Sequence, residues 1–166
     1  MNKSVVERQI PLAYKALEES GIVRGKDGYK LVSKGYRGQI SAFGASVTMG
    51  SLVPAIAFFS KERDGKTSEE DVDRTKLMKA VFLLLRHDAA NYGNTEQKNR
   101  VTNASNLMQY VCSSIGTGEM DQEQRRKALK NCKEEIENAA IALKLAIGMY
   151  LNEVPNKSNE EGDNES

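Results

Sequence analysis

Between Arg37 and Lys61 the chain runs 23 residues, 38–60, without one charged side chain. The chain as a whole is 28% charged, so about six charges would be expected in a stretch of that length. Lys34 and Arg37 stand before it, and Lys61 and Arg63 stand after it. Such a segment demands burial, in the fold or in a partner. A membrane span is one way to bury it, but its glycines and serines, with Gln39, Thr48 and Pro54, are too polar for a hydrocarbon core. Two packed helices broken near Gly50 fit better. Ile40, Phe43 and Val47 form one stripe at helical spacing. Ser41, Ala42, Ala45 and Ser46 are small enough to let another backbone approach. Gly50 is placed where a helix C-terminus favours a residue tolerant of positive φ. Ser51 is then the cap of the next helix, with Pro54 in its first turn, where a missing N–H costs little.

The rest of the chain reads as helical throughout, so the expected fold is all-α: a single-domain bundle of about six helices over residues 1–152. Ser4 and Glu7 suggest a capping box for the first helix. Its buried stripe is Val6, Ile10, Ala13 and Leu17, and Pro11 should kink it or delay its start. Gly21, Gly25 and Gly28 mark a loop to about Leu31; Gly28 to Val32 is the one candidate strand, short enough to be loop. Ser33 is placed to cap the second helix. A fourth helix is expected to open at Ser68, with Glu69, Glu70 and Asp71 at its positive end and Val72, Leu77, Val81, Leu84 and Leu85 on its apolar face. Asn91 to Arg100 reads as a polar connection, and a fifth helix should span Thr102 to Ile115. The longest helix is expected from Asp121 to Leu151. Its stripe is Leu129, Cys132, Ile136, Ala140, Leu143, Ile147 and Tyr150. Residues 153–166 carry five acids and one lysine and should form a disordered acidic tail.

The net charge of +1 therefore divides into −4 on the tail and +5 on the body. A mildly basic body suits a shared RNA groove, and is equally common in helical proteins that bind none. Two cysteines, Cys112 and Cys132, without a secretory leader imply reduced, largely buried thiols and a cytoplasmic protein. Neither a Cys-x-x-Cys nor a His pair is present, so no metal or other cofactor is expected.

Candidate chemistry is sparse. His87, the one histidine, reads as a partly exposed side chain near a helix end. Gly44 to Ser51 superficially suggests a phosphate loop but lacks the lysine that contacts phosphates. Glu134, Glu135, Glu137, Asp121 and Glu123 alternate with Arg125, Arg126, Lys127, Lys130 and Lys133, the pattern of a solvated, salt-bridge-laced helix face. The basic frame is more specific. If the neutral helices form a hairpin about Gly50, then Lys30, Lys34 and Arg37 come together with Lys61, Arg63 and Lys66 at one end, as a surface for phosphates. Tyr36 offers either a stacking face for an unpaired base or a hydrophobic cap on the helix.

Two blocks carry a family resemblance. Tyr36 to Ser46 followed by Leu52 to Phe58, and Ala139 to Ile147 far downstream, resemble the signature of the small subunit of the Cmr complex, the type III-B CRISPR RNA-guided effector. The blocks cover about a quarter of the chain, and their order and spacing extend the similarity across about residues 5–152. The resemblance implies a non-catalytic subunit in antiviral defence that stacks with further copies of itself in a minor filament. Its partners would be the other Cmr subunits, the crRNA and the target RNA, which it helps hold against the guide. It implies no membrane, no small-molecule substrate and no cofactor. Of the nucleic-acid-binding residues it favours Lys34, Arg37, Lys61 and Arg63, with Lys30 and Lys66 secondary. A rival expectation from the residues alone is a stand-alone helical adaptor or regulator that dimerises through the neutral 38–60 segment.

Overall fold

The computed structural model describes residues 1–62, 72–116 and 118–152. Among them are seven helices and a small three-stranded sheet. In chain order these are α1 (Lys3–Glu19), β1 (Arg24–Lys26), β2 (Tyr29–Val32), α2 (Gly35–Met49), α3 (Leu52–Ser60), α4 (Arg74–Tyr92), α5 (Thr95–Asn103), α6 (Leu107–Ile115), α7 (Gln122–Ile147) and β3 (Leu151–Asn152). The helical bundle is as expected; the sheet, α5 and several helix ends are not.

Helix α7 is the central post, packed against α1, α2, α4 and α6. Its contact face is rich in alanine: Ala139, Ala140, Ala142 and Ala146 are all buried. They meet Ala13 and Ala16 on α1 in the same core, so the helix axes can approach closely where they cross. Cys132, Ile136, Leu143 and Ile147 are buried as the stripe predicts, but Leu129 is exposed because the first turns of α7 reach beyond the bundle. The helix ends at Ile147 rather than Leu151, since the chain there turns into β3.

The helix starts show how side-chain acceptors choose their positions. α1 begins one residue before Ser4, and Asn2, not Ser4, accepts the Val5 N–H. It runs unbroken past Pro11, whose exposed position lets water reach the carbonyl that the missing N–H leaves unbonded. Ser33 contributes its backbone carbonyl to the Tyr36 N–H, while Lys34 occupies the cap position of α2 without a side-chain bond. Asp73 caps α4, later than Ser68; Ser68 to Asp71 lie outside the described residues. The expected fifth helix is two. Asn94 and Gln97 build a reciprocal capping box that starts α5 inside the polar stretch, and Asn106 starts α6.

The break at Gly50 is where the uncharged segment predicts it, but for another reason. Gly50 has φ −118°, ordinary extended backbone, so positive φ is not what selects glycine. A Cβ there would stand 2.7 Å from the Ser46 carbonyl oxygen, and only a hydrogen fits. Burial of the 38–60 segment is also partial. Ile40, Phe43, Val47, Leu52, Ala55, Ile56 and Phe59 enter the core, while Ala42, Ala45, Met49, Val53 and Phe58 face outward.

Of the sheet, only β2 lies where the sequence offered a candidate strand, Gly28 to Val32; β1 and β3 were not expected. Asp27 (φ 51°) and Gly28 (φ 80°) form a two-residue turn with both φ positive, the geometry that matches strand twist in a tight hairpin. It pairs Arg24 with Leu31 and Lys26 with Tyr29. β3 adds in parallel on the other side of β2, Leu31 beside Leu151 and Val32 beside Asn152.

The two thiols differ. Cys132 is buried and Cys112 is exposed, which corrects the expectation of two buried thiols. Burial, with the nearby Glu135 carboxylate second, pushes the Cys132 thiol up to about 12. Thiolate is the reactive form. Iodoacetamide at pH 8 should therefore alkylate one cysteine per folded chain, Cys112, and both only after denaturation, as read by peptide mass. Modification of Cys132 in the folded protein at a comparable rate would contradict this packing.

Candidate nucleic-acid interface

Long-range contacts fix which element ends lie together. The Asn2 N–H donates to Asn138 at 2.9 Å, and the Tyr14 and Tyr150 rings meet at 5.5 Å, so α1 and α7 run parallel. The Lys133 ammonium donates to the Thr48 carbonyl, Gly44 lies against Ala140, and the Arg37 guanidinium lies beside Gly148, so α2 and α7 run antiparallel. The C-termini of α1 and α7, the N-terminus of α2 and the sheet therefore share one end of the bundle. The start of α4 joins them, since the Tyr36 hydroxyl meets the backbone of Asp73.

That end gathers cations. Lys34 is exposed at the cap of α2, and Arg37 is exposed in its first turn, which contains no acid. A lysine at a helix N-terminus opposes the helix dipole by a few tenths of a kcal/mol, so Lys34 is not there for helix stability. Arg37 partly escapes this by leaning over the carbonyl end of α7. Lys30 points to the inner side of the sheet with Val32, and its ammonium is held by the Glu18 carboxylate. Arg24 and Lys26 lie next to this cluster on β1, and the sequence alone did not mark them as candidates. A signal was present: Asp27-Gly28 between two short runs is a hairpin turn, but the flanks lack the apolar alternation that would have supported it.

Lys61 follows the last turn of α3 and is exposed. The ends of the α2–α3 hairpin meet only in part, because α3 has 9 residues and α2 has 15. The Phe59 ring packs edge-on against Phe43 at 5.3 Å, in the middle of α2. Arg37 is six residues from Phe43, roughly 9 Å along the helix. Arg74 bridges the gap. Its Nε donates to Gln39 at 2.9 Å, and its guanidinium lies over Phe58 and Phe59 at 4.9 and 5.3 Å. Arg63 and Lys66 lie outside the described residues.

Tyr36 is 6% exposed, so its ring caps the core and has no free face for a base. Burial, then the Asp73 carboxylate, raises its hydroxyl above the ordinary tyrosine range.

The remaining polar residues answer one another elsewhere. His87 Nε2 sits 2.9 Å from Glu19 Oε2. Glu135, expected on a solvated face, instead accepts from Tyr110 at 2.5 Å and from Arg100 at 3.2 Å. A cavity of about 280 Å³ opens beside this network, with Arg8, Gln9, Asp88 and Asn138 in its wall. Arg8 and Gln9 both donate to Asp88. Gln9 Oε1 has no partner but is sealed from solvent, so a molecule in the cavity does not reach it. Among the described residues no three His, Cys, Asp or Glu side chains are grouped to hold a metal ion. Among them also, no helix is long and apolar enough to cross a membrane.

No protein-family model, curated protein or solved structure matches the chain.

Proposed function

We propose that this chain is a non-catalytic small subunit of a type III-B CRISPR (Cmr) effector complex, which packs beside other Cmr subunits and further copies of itself and helps hold target RNA against the crRNA. The observation that carries the reading is that the α2 part of the first block and the second block are neighbours in the fold, while Leu52 to Phe58 on α3 packs chiefly on α2, α4 and α6. Tyr36 to Ser46 on α2 and Ala139 to Ile147 on α7 pack face to face, with Gly44 against Ala140. The basic end formed by Lys34, Arg37 and Lys26 supplies phosphate contacts, and Lys61 extends them along α3. Cleavage belongs to other subunits.

The test is co-purification of crRNA and Cmr partners with a tagged copy, followed by a double substitution, Arg37→Ala with Lys61→Ala, in reconstituted complex. Phosphate contacts are sequence-independent and weaken with salt. RNA affinity should fall equally for unrelated sequences, and the salt slope should drop by roughly one unit for each phosphate no longer neutralised. Assembly without any change in affinity or slope would reduce these two residues to a solvated rim. A second reading is favoured by the outward, uncharged side of α2 and α3, where Met49, Val53 and Phe58 are exposed. It is a stand-alone adaptor or regulator that dimerises through the 38–60 segment. Purification as a homodimer with no RNA and no Cmr subunits would select it.

A further inference from the structure

Cross-strand partners project to the same side of a sheet, as do residues two apart on one strand. The pairings of Arg24 with Leu31, Lys26 with Tyr29 and Leu31 with Leu151 therefore put these five side chains on one face. Val32 and Lys30 take the other face, where Val32 is buried and Lys30 meets Glu18. The five-residue face is the outward one: Tyr29 is 63% and Leu151 58% exposed.

Tyr29 differs from the other exposed large aromatics. Phe58 is covered by the Arg74 guanidinium and Tyr92 by that of Arg8. Among the described residues, no ring packs on Tyr29 and no guanidinium lies over it. An exposed aromatic with Lys26 opposite it on the neighbouring strand and apolar side chains along its base has the chemistry of a stacking site for an unpaired base with a phosphate beside it. An acidic peptide would use the cation but not the ring.

We propose that the outer face of this sheet binds single-stranded RNA, with a base stacked on Tyr29 and flanked by Leu31 and Leu151, and with Lys26 on an adjacent phosphate. The inference rests on the RNA-contacting reading above and adds a site to it, made of residues distinct from Arg37 and Lys61. Stacking makes a prediction that charge alone does not: loss of the ring weakens binding without altering the number of ions released.

The full chain contains no tryptophan, so Tyr29→Trp places a single emission reporter on the face. Oligouridine of twelve nucleotides, titrated at low salt, should quench that emission saturably. Tyr29→Ala should weaken binding of the same oligomer, followed by anisotropy of a labelled strand, on the order of tenfold. Its salt slope should stay that of the wild type, and Tyr29→Phe should restore affinity. Lys26→Gln should lower the slope instead. Because Tyr29 is mostly exposed, these variants should fold as the wild type does, which melting curves check. A twelve-residue polyglutamate peptide is the control for charge. If the wild type binds the RNA but Tyr29→Ala binds as well as it does, or if the peptide competes as strongly as the RNA, the face is not a stacking site. Arg37, Lys61 and the proposed subunit role then stand on their own tests. If the wild type binds no RNA at low salt and Tyr29→Trp is not quenched, the face is overturned, and crRNA co-purification decides the subunit role separately.

Discussion

Replacing Phe43 with alanine should destabilise the fold by about 3–5 kcal/mol, enough to unfold much of a marginally stable domain at physiological temperature. Phe43 is 0% exposed, and its ring packs edge-on against Phe59 at the α2–α3 contact. Truncation removes the transfer free energy of the ring and leaves a cavity that α2 cannot close, because α7 holds it from the other side. The edge-on aromatic pair disappears as well. Phe43→Leu should cost less, since much of the volume remains. Urea unfolding followed by circular dichroism measures both. A loss below about 1 kcal/mol for Phe43→Ala would mean that the α2–α3 hairpin is not seated as described.

Glu135→Ala should destabilise the fold by about 2–3 kcal/mol, a value set between that for breaking a buried pair and that for an exposed one. The Glu135 carboxylate is partly exposed but serves two elements at once. One oxygen takes the Tyr110 hydroxyl of α6 at 2.5 Å and the other the Arg100 guanidinium of α5 at 3.2 Å. Tyr110 is buried, so its hydroxyl would be left without an acceptor, and Arg100 already has an unpartnered Nε. Burial first, and the Glu135 charge second, hold the Tyr110 hydroxyl far above the ordinary tyrosine range. Glu135→Gln keeps an acceptor for Tyr110 and should recover part of the loss. If Glu135→Ala melted with the wild type, the network would be a surface decoration and α5 would be held by its capping box and Val101 alone.

The residues that the sequence made legible are those whose cause is local. The helical spacing of Ile40, Phe43 and Val47, and of Ile136, Leu143 and Ile147, reports a buried face because a helix repeats its orientation every three to four residues. The position of Gly50 was legible, although its mechanism, a contact with the Ser46 carbonyl oxygen, depends on the path of the chain after α2. Helix α5 was hidden because its sequence is polar and only Val101 is buried from it; its signal was the Asn94–Gln97 capping pair rather than periodicity. Glu135 looked like its charged neighbours, and nothing within α7 distinguishes it. Its partners lie 25 and 35 residues away.

For the candidate interface, the sequence by itself determined that cations frame an uncharged helical pair, and it named Lys34, Arg37 and Lys61. Tertiary structure decided which of them share a surface. Arg37 turns to the end of α7, Lys30 is engaged by Glu18, and Tyr36 is taken into the core. It also brought in Lys26 and Tyr29, through a sheet whose third strand comes from about 120 residues downstream. Periodicity reports which side of an element is apolar, because that depends on neighbours one turn away. It does not report which elements meet, because that is set by helix lengths, alanine-lined crossings and strand register between segments far apart in the chain.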